Sequence, residues 1–171
     1  MKQKIKTALI SVSDKTDLSK VLKALNKHKV RIISSGGTYK SIKQLGYACT
    51  EVSDYTGFKE MLDGRIKTLH PKIHAGILHD RSNKKHSKEM SNKKFPSLDL
   101  IIVNFYPFQK IVTNSKSNKE IIENIDIGGP TMVRSAAKNF KNVLIITNKN
   151  DYSDLINEIK KNNGSTSLNF R

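Results

Sequence analysis

Three short segments of this chain carry side chains able to act on a small anionic molecule. In Ser35-Gly36-Gly37-Thr38, an apolar run passes into a helical pattern through two glycines. Glycines allow close backbone approach, and the free N–H groups of a helix start can hold a phosphate, with Lys15 as counter-charge. A tight strand-to-helix turn would use the same residues. In Arg65-Ile66-Lys67-Thr68-Leu69-His70-Pro71, two cations, a hydroxyl and an imidazole follow one another closely. Such a segment can clamp an anion or stabilise an oxyanion, and a basic surface loop is the plainer alternative. In the third segment, Asp126 stands just before Ile127-Gly128-Gly129-Pro130 and a helical pattern that carries Lys138. Spacing alone leaves open whether Asp126 and Lys138 meet or form a helix cap and an exposed lysine. Asn104 and Tyr106 add an amide and a phenol at the end of an apolar run, although Phe105-Tyr106-Pro107-Phe108 would also serve as core closure. His70 and His74 are four apart, as helical zinc ligands can be. Pro71 intervenes and no motif glutamate accompanies them, so no metal site is expected.

The elements that must position these residues follow from periodicity. Thr7–Val12 and residues 30–34 read as buried strands, and the helix between them places Leu18, Val21, Leu22 and Leu25 on one face. A second helix runs through Ile42 and Leu45. From Cys49 to Leu78, glycines and Pro71 break every period, which predicts loop with short elements. Residues 80–97 are strongly polar and predict an exposed, mobile insertion. Leu98 to Phe105 reads as the central strand, and residues 117–125 as a helix through Ile121, Ile122 and Ile125. Pro130 suits the first turn of a helix from Thr131 to Asn139. Val143 to Thr147 is a further strand, and Asp151 is placed to cap a last helix bearing Leu155, Ile156 and Ile159. Strands alternating with helices predict an α/β, doubly wound, mostly parallel sheet, with ligands beyond the carboxyl ends of its strands.

With 171 residues, 36% hydrophobic and 27% charged, the chain suits one domain with a real core. Its single cysteine, Cys49, excludes an internal disulfide and fits a reducing compartment. Neither an apolar run of membrane length nor an apolar stretch after Met1-Lys2-Gln3-Lys4 is present, so a cytoplasmic protein without membrane partners is expected. The net charge of +16 first suggests nucleic acid. Yet 26 Lys against 5 Arg, spread along the chain, describe a solvated surface, and no nucleic-acid partner is expected.

Taken together, six spaced segments resemble one family, inosine monophosphate (IMP) cyclohydrolase. They are Ser11 to Thr16, Ser35 to Thr38, Thr56-Gly57-Phe58 with Met61-Leu62, Gly64 to Pro71, Asn104 to Phe108, and Ile125 to Thr131 with Arg134 to Asn139. Two positions depart from the family pattern: Asp17 stands where glycine is usual, and Phe105 where leucine is. The resemblance implies a methylglyoxal-synthase-like, Rossmann-like three-layer fold over residues 1–171, a homodimer, and closure of the ring of 5-formamidoimidazole-4-carboxamide ribotide without cofactor or metal. In this family the domain normally precedes a larger formyltransferase domain, which these residues do not include. Carried over by resemblance, Lys67, Tyr106, Asp126 and Lys138 form the reacting set. Ser13, Lys15, Ser35, Gly36, Gly37 and Thr38 take the phosphate, with Asp14 shaping their loop. Arg65 and Thr68 bracket the nucleotide substrate, Asn104 and Ile127 line the base pocket, and Ile66, Phe105 and Gly128 complete the binding set. Two rival readings are a methylglyoxal-synthase-like enzyme or allosteric domain of the same fold, and a basic module that binds nucleic acid.

Overall fold

The computed structural model describes residues 2–115 and 117–171. Strand β1 (Lys2–Lys4), which no apolar period marks, precedes the expected strand–helix–strand–helix run of β2 (Thr7–Val12), helix α1 (Leu18–Lys27), β3 (Arg31–Ser34) and α2 (Gly36–Gln44), and a short strand β4 (Thr50–Glu51) follows. The chain continues through α3 (Val52–Thr56), α4 (Pro71–Leu78), α5 (Lys84–Asn92), β5 (Leu100–Asn104), α6 (Phe108–Asn114), α7 (Asn118–Glu123) and α8 (Gly128–Lys138). It closes with β6 (Leu144–Ile146), α9 (Tyr152–Lys161) and β7 (Ser165–Ser167). Five parallel strands form the main sheet in the order β4-β3-β2-β5-β6. From β2 the chain winds outward through β3 and β4, then returns to the other side of β2 as β5. The order therefore reverses between β2 and β5, where an open α/β sheet leaves a crevice. β1 and β7 pair antiparallel outside this sheet, a pairing that three-residue polar segments did not signal.

Alternation along the strands divides the core into two layers. Ala8, Ile10 and Val12 of β2 pack with Leu18, Val21, Leu22 and Leu25 of α1 and with Leu155 and Ile159 of α9. Leu9, Ile33, Ile101 and Val103 point the other way, onto Ile73 and Ile77 of α4 and Met132 and Ala136 of α8. Both faces are covered, as a doubly wound sheet requires, and each fully buried aliphatic contributes about 1.5–3 kcal/mol.

Local chemistry explains where the sequence expectations differ. Within residues 80–97, α5 forms despite burying no residue. Asn83 accepts from the N–H groups of Lys85 and His86, the His86 ring accepts from Asp80, and Arg81 reaches inward to Asp99 and the Leu98 carbonyl. The expected mobile insertion is thus a capped helix, because caps leave no apolar period to read. Pro71 is the first residue of α4, and His70 caps it, its Nδ1 accepting from Lys72 N–H. α8 starts at Gly128, three residues earlier than expected. Asp151 occupies the residue before α9 but makes no capping bond; Asn148 caps the preceding turn instead. Asp17, where the resembled family usually has glycine, has φ 59°, a left-handed turn that aspartate tolerates, and its carboxylate pairs with Lys20 at 2.8 Å.

Candidate active site

The crevice between β2 and β5 is held by one amide. Asn104, the last residue of β5, accepts at Oδ1 from the N–H groups of Ser13 (2.6 Å) and Asp14 (2.9 Å), and its Nδ2 donates to the Asp14 carbonyl (2.8 Å). Its side chain is spent on shaping the loop after β2. Asp14 completes that loop by accepting from Thr16 N–H and pairing with Lys149 at 2.8 Å. The Lys149 ammonium, with the Thr16 bonds, holds the Asp14 carboxyl well below the usual range.

Beside this loop stands the start of α2. Ser35 precedes it in an extended conformation and makes no capping bond with its side chain, while Gly36 has φ 54°, which a side chain would strain. Thr38 is buried and its hydroxyl both donates to the Val12 carbonyl and accepts from Val12 N–H. It ties the helix to β2, and its one hydroxyl proton is engaged there. Two ammonium groups converge on the glycines: Lys67 Nζ lies 3.4 Å from where a Gly36 Cβ would stand, and Lys15 Nζ 3.9 Å from that of Gly37. A helix start flanked by two lysines suits a phosphate.

A cleft of ≈ 520 Å³ opens next to it, within the range of small-ligand sites. Ser35, Arg65, Lys67, Thr68, Tyr106, Asp126, Ile127 and Gly128 line it, so the structure gathers three of the four expected reacting residues. Two glycines make the gathering possible. An added Cβ at Gly128 would fall 2.3 Å from Thr68 Oγ1, and one at Gly129 2.4 Å from Asp126 Oδ2. Asp126 also accepts from Gly129 N–H at 2.9 Å, so its carboxylate caps α8 while facing the cleft. Phe105 is 41% exposed and lies against Gly129. Tyr106 and Phe108 are exposed as well, so this segment is not core closure, and Tyr106 lines the cleft. Ile66 is half-buried outside the cleft lining.

Lys138 is placed elsewhere. It is exposed at the opposite end of α8 from Asp126, about 15 Å from the helix start at 1.5 Å per residue. Two partners were not anticipated from sequence: Glu123, at the end of α7, forms a two-pronged pair with Arg65 across the cleft mouth, and Glu60 pairs with Lys67 at 3.1 Å. Neither stands at a spacing that marks it. Among the described residues, no group of three or more His, Cys, Asp or Glu is arranged to hold a metal, and no helix is long and apolar enough to cross a membrane.

Sheet order and cleft together define a doubly wound α/β domain with its cleft at the switch point. The chain belongs to the MGS-like domain family, which it matches over residues 17–131. Residues 136–171 match a second family, the AICARFT/IMPCHase bienzyme. The chain is 53% identical over 157 residues to the bifunctional purine biosynthesis protein PurH of Clostridium acetobutylicum, covering 92% of this chain and 32% of that protein. It is 51% identical over 164 residues to PurH of Leptospira biflexa, covering 95% and 32%. It therefore spans about a third of the length of these curated relatives. A solved structure described as "Crystal structure of ForH" superposes with a TM-score of 0.82 at 29% identity, covering 94% of this chain and 82% of that one.

Proposed function

We propose that this chain is an IMP cyclohydrolase, closing 5-formamidoimidazole-4-carboxamide ribotide to IMP and water. The observation that carries the reading is the meeting of Lys67, Tyr106 and Asp126, from three distant segments, in one cleft beside the Lys15 and α2 anion site. The carboxamide nitrogen bonds to the formyl carbon and gives up one proton, which the formyl oxygen gains. That oxygen then leaves as water, taking a second proton from the formamide nitrogen as the new C=N bond forms. No electrons are exchanged, so the step calls for no redox cofactor.

Phosphate would rest on the Gly36-Gly37 N–H groups and Lys15, which fixes the base in the cleft and brings its two reacting groups together. Lys67 stabilises charge on the formyl oxygen, with Tyr106 supporting it, and Asp126 orients the carboxamide nitrogen and accepts its proton. Ser13, Asp14, Asn104 and Thr38 act by holding the cradle; Arg65, Thr68, Ile127 and Gly128 shape the walls, and Ile66 and Phe105 support them from outside the lining. The reading also carries a cytoplasmic homodimer. α6 and α7 bury no residue, and Phe108, Val112, Ile122 and Ile125 stand exposed on and beside them, as an unpaired contact surface would. Lys138 would then relay protons at the site of a second copy. The formyltransferase activity of the longer relatives is not assigned to these residues.

The test is turnover of the ribotide by the purified chain without folate or added metal. IMP formation supports the reading, and binding of IMP without turnover rejects it in favour of a nucleotide-binding domain of the same fold.

A further inference from the structure

Glu60 belongs to none of the residue sets assigned above, yet the chain folds back to bring it to Lys67. Successive turns do this: Gly64 N–H donates to the Met61 carbonyl, Arg65 to Leu62, Lys67 to Gly64 and Leu69 to Ile66. Leu62, Asp63 and Gly64 all have positive φ, at 53°, 52° and 84°. Two of these are not glycine, so the reversal is held against a local cost. The Glu60 carboxylate ends 3.1 Å from Lys67 Nζ. Gly64 is bare beneath the pair; a Cβ there would lie 2.2 Å from Glu60 Oε1 and 2.9 Å from Lys67 Cε.

Lys67 stands between two spaces. It lines the cleft and reaches Gly36, and it also borders a small cavity shared with Glu51, Val52, Ser53, Phe58 and Glu60, whereas Glu60 borders only that cavity and is outside the cleft lining. Glu51 is already engaged in capping α3 at Ser53. Glu60 therefore grips the ammonium from behind and leaves its cleft side open to a ligand. A lysine side chain loses much rotamer freedom when fixed, and an anchor that fixes it before the ligand arrives removes that cost from the reaction.

We propose that Glu60 is a positioning residue, holding the Lys67 ammonium at the cleft wall for ring closure. This rests on the cyclohydrolase reading above. The test compares the full chain with Glu60→Gln, Lys67→Ala and the double variant, each checked for an unchanged circular dichroism spectrum. Glu60→Gln lowers kcat about tenfold with KM and IMP affinity within about threefold, and adds no further loss to Lys67→Ala. A double variant whose losses multiply overturns the proposal. Labelling of Lys67 by an amine-reactive reagent, read by peptide mass, supplies a second readout independent of turnover. Glu60→Gln changes the Lys67 labelling rate at least about threefold with other lysines unaffected. Should the full chain show no turnover, the cyclohydrolase reading falls by itself; an unchanged labelling rate overturns the positioning role in either case.

Discussion

On the α2 side of the cleft, Ser34 and Thr38 are buried and spend their hydroxyls on the β2 backbone, whereas on the opposite side neither α6 nor α7 buries a residue. The first side is continuous with the sheet and shares its cooperativity. The second is held by caps and by the exposed Arg65–Glu123 pair, which solvent and salt weaken. A rigid cradle faces a soft wall. The difference teaches where binding and chemistry would each be anchored: on the proposed reading the phosphate rests on the side tied to the sheet, while Tyr106 and Arg65 stand on the side that buries less. Asp126 stands at the boundary, its reach set by a soft loop but its carboxylate fastened to buried Gly129.

Of three changes that separate cradle from wall, the largest effect is expected where that boundary is disturbed. Gly129→Ala places a Cβ 2.4 Å from Asp126 Oδ2, so the carboxylate must swing away. Single-turnover rates should fall about a hundredfold while IMP affinity changes little. An unchanged rate would mean that Asp126 placement is as loose as the wall around it. Next comes the cradle. Thr38→Val removes both bonds to Val12 from a buried site, at a cost of about 1–3 kcal/mol in urea unfolding, with weaker IMP binding. A loss in binding alone would show that the cradle is not part of the sheet's cooperative frame.

The smallest effect concerns pH. His74 Nδ1 lies 3.3 Å from Ser135 Oγ, whose own proton goes to the Thr131 carbonyl, so the ring donates there. His79 Nδ1 donates to the Ala75 carbonyl, and its Nε2 accepts from Ser97. Burial lowers both imidazoles from 6.5. The unfolded chain therefore binds more protons below that value, so stability is full above pH 6.5 and declines as pH falls toward the folded values. The slope is at most about 1.4 kcal/mol per pH unit for each ring. Urea midpoints at pH 7.5 and 5.5 measure it, and His74→Gln should flatten the dependence. A steeper dependence in the variant would contradict the assignment.

How much of this was legible in the sequence follows the same division. The strands, the helix and the Gly36-Gly37 turn on the α2 side were, because all are local signals. Lys67, Tyr106 and Asp126 were named through resemblance, and the strand order is what brings them together. The capped helix α5 was missed because side-chain caps carry no hydrophobic period. Glu60 and Glu123 were missed because their partners lie across turns and helices that spacing does not reveal. Asn104 and Thr38 were expected to touch the ligand, and the structure adds that both bond to backbone beside the cleft, a role that residue type alone does not carry.

The most direct measurement of the central claim is IMP formation from the formamidoimidazole carboxamide ribotide by the purified chain, set beside Lys67→Ala. The account predicts turnover without folate or metal, reduced about 10²–10³-fold in the variant while IMP affinity holds within about threefold. Equal turnover in the two proteins, or equal losses of rate and affinity, would contradict it.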